Sequence, residues 1–282
     1  MTQATTFNER EMQICTVARM IENGRTYWVA GAAAPLYAIL IGKRLYAPDA
    51  QYITEDGVIA PEPMLPFDPI MSMVSARAGY RALGWGTMNV AGAHAQVGLM
   101  DYGILNALQI DQYGNINSTA IGVYGREARR FGGPGGADSI ASLCWRTILM
   151  TDQEARKFVE RVDFISSPGF LDGTPDARER AGLPRGTGPW RVVTPCALYD
   201  YNEERRLRLM GVAPWVTVEE VLAECQHKPV VPEKVETLEP PSDEELDILR
   251  AHLDVRGQTT GIERSAWIIW DGEKYVRQAE ER

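Results

Sequence analysis

The sequence predicts an α/β fold with a partly parallel sheet, and three observations carry that prediction. Its 282 residues, 45% hydrophobic and 24% charged, have the balance of a globular chain that can bury a sizeable core. An amphipathic helical pattern with its own cap opens the chain. After it, β-prone and helical runs alternate, and parallel strands need connections long enough to hold a helix.

Taken in order, Ile14, Val17, Ala18 and Ile21 fall at i, i+3, i+4 and i+7 and predict a helix over residues 8–23. Asn8 with Glu11 three positions on makes a capping box, and Gly24 supplies a left-handed stop. Residues 26–30 are β-prone and lead through Gly31 into a helix from Pro35 to about Leu45. Pro48 and Asp49 turn the chain into a strand over 51–54, which ends at Glu55-Asp56-Gly57. Residues 105–110 and 116–119 form two strands around Tyr113-Gly114-Asn115, a hairpin signal. Residues 126–136 are a loop, and a helix starts over 137–143.

Short strands are expected at 147–150, 162–165, 191–194 and 206–210, with Tyr199 to Glu204 as a polar turn between strands. Residues 167–188 hold five Gly and three Pro, too many for regular structure, and form a long surface loop. Thr217 with Glu220 and Ser242 with Glu245 are two further capping boxes. Between them, residues 226–241 carry four Pro and form an extended arm. The chain is therefore expected to be a single domain over 1–282, with a C-terminal helical arm from about 226.

Composition narrows the function. A net charge of -9 argues against general nucleic-acid binding, because phosphate backbones reward positive faces. Cys15, Cys144, Cys196 and Cys225 lie far apart without metal-ligand spacing, so reduced thiols and no metal are expected. The longest apolar stretch, from Trp28 to Gly42, is broken by Gly31 and Pro35 and is too short to cross a membrane. Glu9, Arg10 and Glu11 leave no room for a signal-peptide core, so a cytoplasmic location is expected. With three histidines and no GxSxG elbow, a hydrolase triad has little support.

Two features carry chemistry. Gly132-Gly133-Pro134-Gly135-Gly136-Ala137 exposes backbone amides just before a helix, a place to hold a carbonyl oxygen or a phosphate. Arg126, Arg129 and Arg130 add positive charge beside it. The same residues are compatible with a glycine-rich turn and a solvated basic flank. Glu55, at a strand end, has the placement of a nucleophile or general base, and equally that of a solvated turn residue.

In order along the chain, several runs resemble the class I CoA-transferase family, in its β subunits of the glutaconate CoA-transferase type. They are Glu11-Met12-Gln13, Lys43-Arg44, Tyr46-Ala47-Pro48-Asp49, Glu55 before Gly57, Gln109-Ile110-Asp111 and Tyr113-Gly114-Asn115. The series continues through Asn117-Ser118-Thr119, Gly135-Gly136-Ala137, Ser167-Pro168-Gly169, Asp172-Gly173, Arg178-Glu179-Arg180 and Gly182-Leu183-Pro184. The match spans about residue 8 to about residue 255.

The resemblance implies an open, mostly parallel sheet flanked by helices, and an active site shared with a distinct α subunit in a hetero-oligomer of α2β2 or larger size. It implies that Glu55 attacks an acyl-CoA thioester and carries CoA as a glutamyl thioester in a ping-pong reaction. Gly132, Gly133, Gly135, Gly136 and Ala137 are then candidates for oxyanion and CoA binding. Arg129 and Arg130 are candidates for CoA phosphate contacts, and Gln109, Asn115 and Asn117 for lining the site. Coenzyme A and acyl-CoA enter as substrates, with no permanently bound cofactor. Alternative readings are a CoA-ester hydrolase or decarboxylase of the same fold, or a non-catalytic partner subunit.

Overall fold

The computed structural model describes residues 1–30, 33–65, 76–123, 125–126, 129–257, 259–261 and 266–278. Gly31 and residues 127–128 of the expected 126–136 loop lie outside the described residues.

One large sheet organises the chain. Its ten strands, in chain order, are β1 (Thr26–Val29), β2 (Gln51–Thr54), β3 (Val58–Ile59), β4 (Gly84–Trp85), β5 (Tyr102–Asn106), β6 (Arg146–Met150), β7 (Gly188–Val193), β8 (Ala197–Tyr201), β9 (Leu207–Val212) and β10 (Glu236–Thr237). In space they run β10-β9-β8-β7-β6-β5-β1-β2-β3-β4. The central five, β7, β6, β5, β1 and β2, are parallel throughout. Antiparallel hairpins extend this block on both sides through β3 and β4, and through β8 and β9. The sheet is thus mixed and mostly parallel at its centre, as expected.

Helices cover both faces, which is what buries parallel strands. On one face, Tyr27, Val29, Tyr102, Ile104, Ile148 and Met150 pack with helix α1 (Glu9–Ala18) and helix α2 (Ala33–Leu45). On the other, Trp28, Ile53, Leu105 and Leu149 pack with helix α3 (Met88–Gln96) and helix α4 (Ala137–Leu143). Neighbouring residues of one strand go to opposite layers, the period of two that a pleated strand imposes.

Several elements differ from expectation for physical reasons. Helix α1 has its Asn8–Glu11 capping box, but regular helix stops at Ala18. Met20 and Ile21 amides turn back to the Val17 and Ala18 carbonyls, so Ile21 stays buried without helical bonding. The expected strand over 105–110 divides into β5 and a two-residue arm, Gln109–Ile110, which pairs with Ile116–Asn117. Residues 162–165 form no strand; the hairpin bridges instead to Phe158 and Ser167. Tyr199, Asp200 and Tyr201 belong to β8, where Asp200 takes two hydrogen bonds from Arg208 on β9, and the polar turn shrinks to 202–206.

The segment from 226 onward contains more than a helical arm. The helix Asp243–Asp247 continues as a π-helical turn over Ile248–Leu253. Strands Trp267–Trp270 and Tyr275–Arg277 then form a three-stranded sheet with Thr6–Asn8, at the other end of the chain.

Candidate active site

Glu55 follows the C-terminal end of β2, on the edge of the sheet where parallel strands deliver ligand groups. The turn that holds it is closely determined. Thr54 is fully buried; its hydroxyl donates to the Asp56 carboxylate and accepts from the Val58 amide at 3.1 Å. The Gly57 amide donates to the Thr54 carbonyl at 2.9 Å, and the Gly57 carbonyl accepts from the Gly86 amide at 3.0 Å. Gly57 has φ +95°, and a β-carbon there would lie 2.1 Å from the Thr87 carbonyl oxygen. Only glycine fits this position, so the Glu55 turn is pinned against the entrance to α3.

The glycine loop arrives from the opposite side of the sequence. Arg129–Arg130 pair antiparallel with Ala120–Ile121, and the Phe131 and Gly133 amides donate to the Thr119 and Ser118 carbonyls at 2.9 and 3.1 Å. The Ala137 amide turns back to the Pro134 carbonyl at 2.9 Å, while Gly136 caps α4. Gly135 sits at φ +55°, and a β-carbon placed on it would lie 3.3 Å from Oε1 of Glu55. The two chemistry-bearing features of the sequence are thereby neighbours. Trp28 and Met88 border Gly136, each 3.6 Å from where a β-carbon would stand.

Among the described residues, neither the Gly135 nor the Gly136 amide donates to a protein acceptor. Gly133 and Ala137 spend theirs on holding the loop. Helix α4 has only seven residues, so these amides, more than a macrodipole, supply the positive potential.

Of the remaining expected site residues, Arg129 and Arg130 are on the strand before this loop, while Gln109, Asn115 and Asn117 are on the hairpin, with Asn115 away from the loop. Gln109 and Asn117 are buried on facing arms of the hairpin, where the Asn117 amide donates to Gln109 Oε1 and to the Ala120 carbonyl, both at 2.6 Å. Asn117 Oδ1 accepts from the Thr119 amide at 3.0 Å, so this pair holds the strand on which the glycine loop rests. Asn115 is buried too; its Oδ1 accepts from the Gly169 and Leu171 amides, and its amide donates to Asp111 and the Leu171 carbonyl. It fastens the 167–188 loop to the hairpin. Burial raises the Asp111 carboxyl above its usual range, against the bonds from Asn115 and Tyr113. Arg129 and Arg130 are exposed, with Arg129 5.3 Å from the Phe131 ring centre.

A carboxylate beside two uncommitted backbone amides has the parts for acyl transfer: a nucleophile and donors for the oxyanion. Sequence reasoning missed Trp28 and Met88. The signal for Trp28 was the alternation of β1, which sends it to the face opposite Tyr27 and Val29. Among the described residues no group of three or more His, Cys, Asp or Glu is placed to hold a metal ion, and no helix is long and apolar enough to cross a membrane.

Comparison with known proteins bears on this arrangement. The coenzyme A transferase family model matches residues 67–224. The B subunit of glutaconate CoA-transferase from Acidaminococcus fermentans is 35% identical over 260 residues, covering 90% of this chain and 95% of that protein. The crystal structure of that organism's glutaconate coenzyme A-transferase superposes with a TM-score of 0.82, covering 90% of this chain and 97% of the matched one, at 31% identity. The B subunit of 3-oxoadipate CoA-transferase from Pseudomonas knackmussii is 32% identical over 251 residues, covering 87% and 93%. The decarboxylase AibA/AibB shares the fold at 20% identity, with a TM-score of 0.76 and coverage of 89% and 97%.

Proposed function

Because this chain belongs to the coenzyme A transferase family, we propose that it is the B subunit of a CoA-transferase in which Glu55 is the covalent nucleophile. The reaction moves CoA between an acyl-CoA and a carboxylic acid. The observation that carries this reading is the apposition of Glu55 Oε1 to Gly135, 3.3 Å from the position of a β-carbon there.

The chemistry follows from that placement. A carboxylate oxygen of Glu55 attacks the thioester carbonyl carbon, and the resulting tetrahedral oxyanion is stabilised by the Gly135 and Gly136 amides. Collapse breaks the C–S bond, releases CoA thiolate and leaves an acyl-glutamyl anhydride. The thiolate then attacks the glutamyl carbonyl, forming a glutamyl-CoA thioester and freeing the first acid. The acceptor carboxylate attacks this thioester and expels the thiolate again. Attack of the thiolate on the acceptor's acyl carbon yields the new acyl-CoA and restores the Glu55 carboxylate. Atoms balance with no cofactor, and the two halves predict ping-pong kinetics.

Each anhydride is labile to water, so the site must be enclosed during turnover. The named relatives are B subunits, which supports a distinct α subunit as the missing wall of the site. The exposure of Arg129 and Arg130 beside the glycine loop supports assigning them to the phosphates of CoA.

The test is to incubate the assembled enzyme with acyl-CoA, trap with hydroxylamine or borohydride, and map the peptides by mass. The expected adduct is on Glu55, and Glu55→Gln lowers CoA transfer by ~10³-fold or more, as for other covalent nucleophiles. An active enzyme with no adduct on Glu55 would sink the reading. Thioester hydrolysis or C–C cleavage that survives Glu55→Gln would place the chain with the hydrolases or decarboxylases of this fold instead.

A further inference from the structure

On the other edge of the sheet from Glu55, β6 and β7 begin at Arg146 and Gly188. Since β2, β1, β5, β6 and β7 are all parallel, a strand's length, roughly 16 Å for five residues, separates this edge from the Glu55 turn. A hollow of about 200 Å³ opens here, and Arg146, Arg178 and Arg205 all line it. Among the described residues none of the three makes an ion pair with a carboxylate.

Arg178 is the most constrained of them. It is only 5% exposed, and its guanidinium donates to the carbonyls of Pro168, Gly169, Ala141 and Ser142 and to the Thr187 hydroxyl. Among the described residues its buried Nε has no partner. Burial above all, and then repulsion from Arg205, pushes the Arg178 pKa down to about 10. Buried charges in folded proteins are ordinarily paired, so a guanidinium held only by neutral carbonyls and a hydroxyl lacks its counter-ion.

The other two are held in place by aromatic rings. Arg146 lies 4.0 Å from the Trp145 ring centre and 5.2 Å from that of Trp190, and Arg205 lies 5.5 Å from that of Phe170. Such stacking fixes the direction of a guanidinium while leaving its edge N–H groups available. One carboxylate, Glu179, is on the wall, and it is turned to Arg185 at 3.4 Å. Three cations therefore converge on one hollow in a chain whose net charge is -9.

We propose that this hollow is a second ligand site, for a compact multivalent oxyanion bearing phosphate or carboxylate groups, contacted by Arg146 and Arg205 and drawn by the uncompensated charge of Arg178 in the wall. The hollow is too small for a whole CoA molecule, and the site is independent of the role given to Glu55. Occupancy would tie the start of β6 and β7 to the 167–188 loop, whose residues supply Arg178 and two of its four carbonyl partners.

The experiment titrates the assembled enzyme, saturated with CoA, with inorganic pyrophosphate and separately with citrate, by calorimetry. Saturating CoA keeps the probes from reporting on the Glu55 site. At least one probe is expected to bind once per chain. Binding of pyrophosphate alone supports the proposal with a phosphoryl ligand, and binding of citrate alone supports it with a carboxylate ligand. Arg205→Gln and Arg146→Gln are each expected to weaken binding by about tenfold or more, the scale of a lost charge-assisted contact. Arg156→Gln, on an exposed side chain that is paired with Glu154 and lies outside the hollow, leaves it unchanged. Circular dichroism confirms that each variant is folded, and Arg205, whose side chain makes one hydrogen bond among the described residues, to the Thr174 carbonyl, is the mildest change. Failure of both probes to bind at millimolar concentration overturns the proposal, as does a folded Arg205→Gln variant with wild-type affinity.

Discussion

At Gly135 backbone conformation and chemistry coincide. An alanine there has to adopt φ +55°, which costs an L-residue ~1–2 kcal/mol, and its methyl group meets the Glu55 carboxylate. Gly135→Ala is expected to lower stability by about that amount and kcat by ~10²-fold, because the backbone amide is kept but the methyl group displaces the Glu55 carboxylate from it, with the effect of a misplaced oxyanion donor. Denaturation curves and steady-state kinetics separate the two effects; full activity in the variant would remove Gly135 from the site. A second residue, His227, contributes to the pH dependence of stability. Burial above all pushes its pKa down to about 4 from an ordinary 6.5, and among the described residues its Nε2 has no partner. The unfolded chain therefore takes up the proton first. This contribution to stability is complete above about pH 6.5 and is lost as pH falls toward 4, by roughly 3 kcal/mol. Measured against pH, unfolding free energy should fall less steeply over this window in His227→Asn; equal slopes would contradict the assignment. Glu55 and the glycine loop were both legible in the sequence as separate features. Their contact was not, because it depends on how segments 55 and 135 are brought to one edge of the sheet.

Among the elements, capping boxes were the most legible, since each is contained within four residues. All three, at Asn8, Thr217 and Ser242, form as expected. Two of them are linked in a way no local pattern reveals. Glu11 of the first box takes two hydrogen bonds at 2.7 Å from Arg250, and Glu245 of the last takes bonds at 2.8 and 2.6 Å from Arg19. Each helix start is thus clamped by an arginine from the other helical segment, and both glutamates are fully buried. Removing either partner of a buried pair costs ~3–5 kcal/mol, so Arg19→Ala and Glu245→Ala should each destabilise strongly. Combined, they should cost less than their sum by about 2 kcal/mol, since contacting residues couple on this scale. Additive losses in a double-mutant cycle would show that the pair acts as two independent residues. Helix α3 was missed because Met88–Gln96 carries a glycine and four alanines or valines, and buries only Ala91 and Ala95. Its N-cap Thr87 makes no side-chain cap bond. Strand β8 was missed because Asp200 suggested solvent, whereas Arg208 neutralises it across the sheet.

For the whole molecule, the alternation of strand and helix foretold parallel pairing, and the first crossover, β1–α2–β2, was legible almost to its boundaries. Strand order was not, since β5 inserts beside β1 from some seventy residues away and only packing selects that neighbour. Nor was the closing sheet, in which residues 267–277 return to residues 6–8; its short strands leave little periodicity to detect. That small sheet has a topological consequence. Gln3 bridges to Ser242, the Ala4 amide donates to the Pro241 carbonyl, and the last strand lies one position from the first across the Trp267–Trp270 strand. Two inter-strand spacings, about 10 Å, therefore separate Thr6 from Val276. A linker of roughly eight glycine and serine residues would join the chain ends, and new ends opened between exposed Glu233 and Lys234 would leave every strand of the central sheet in place. Such a circular permutant is expected to fold and to keep its melting temperature within a few degrees; one that fails to fold would mean that the order of synthesis, and not only the closed architecture, is needed to bring the two ends of this chain together.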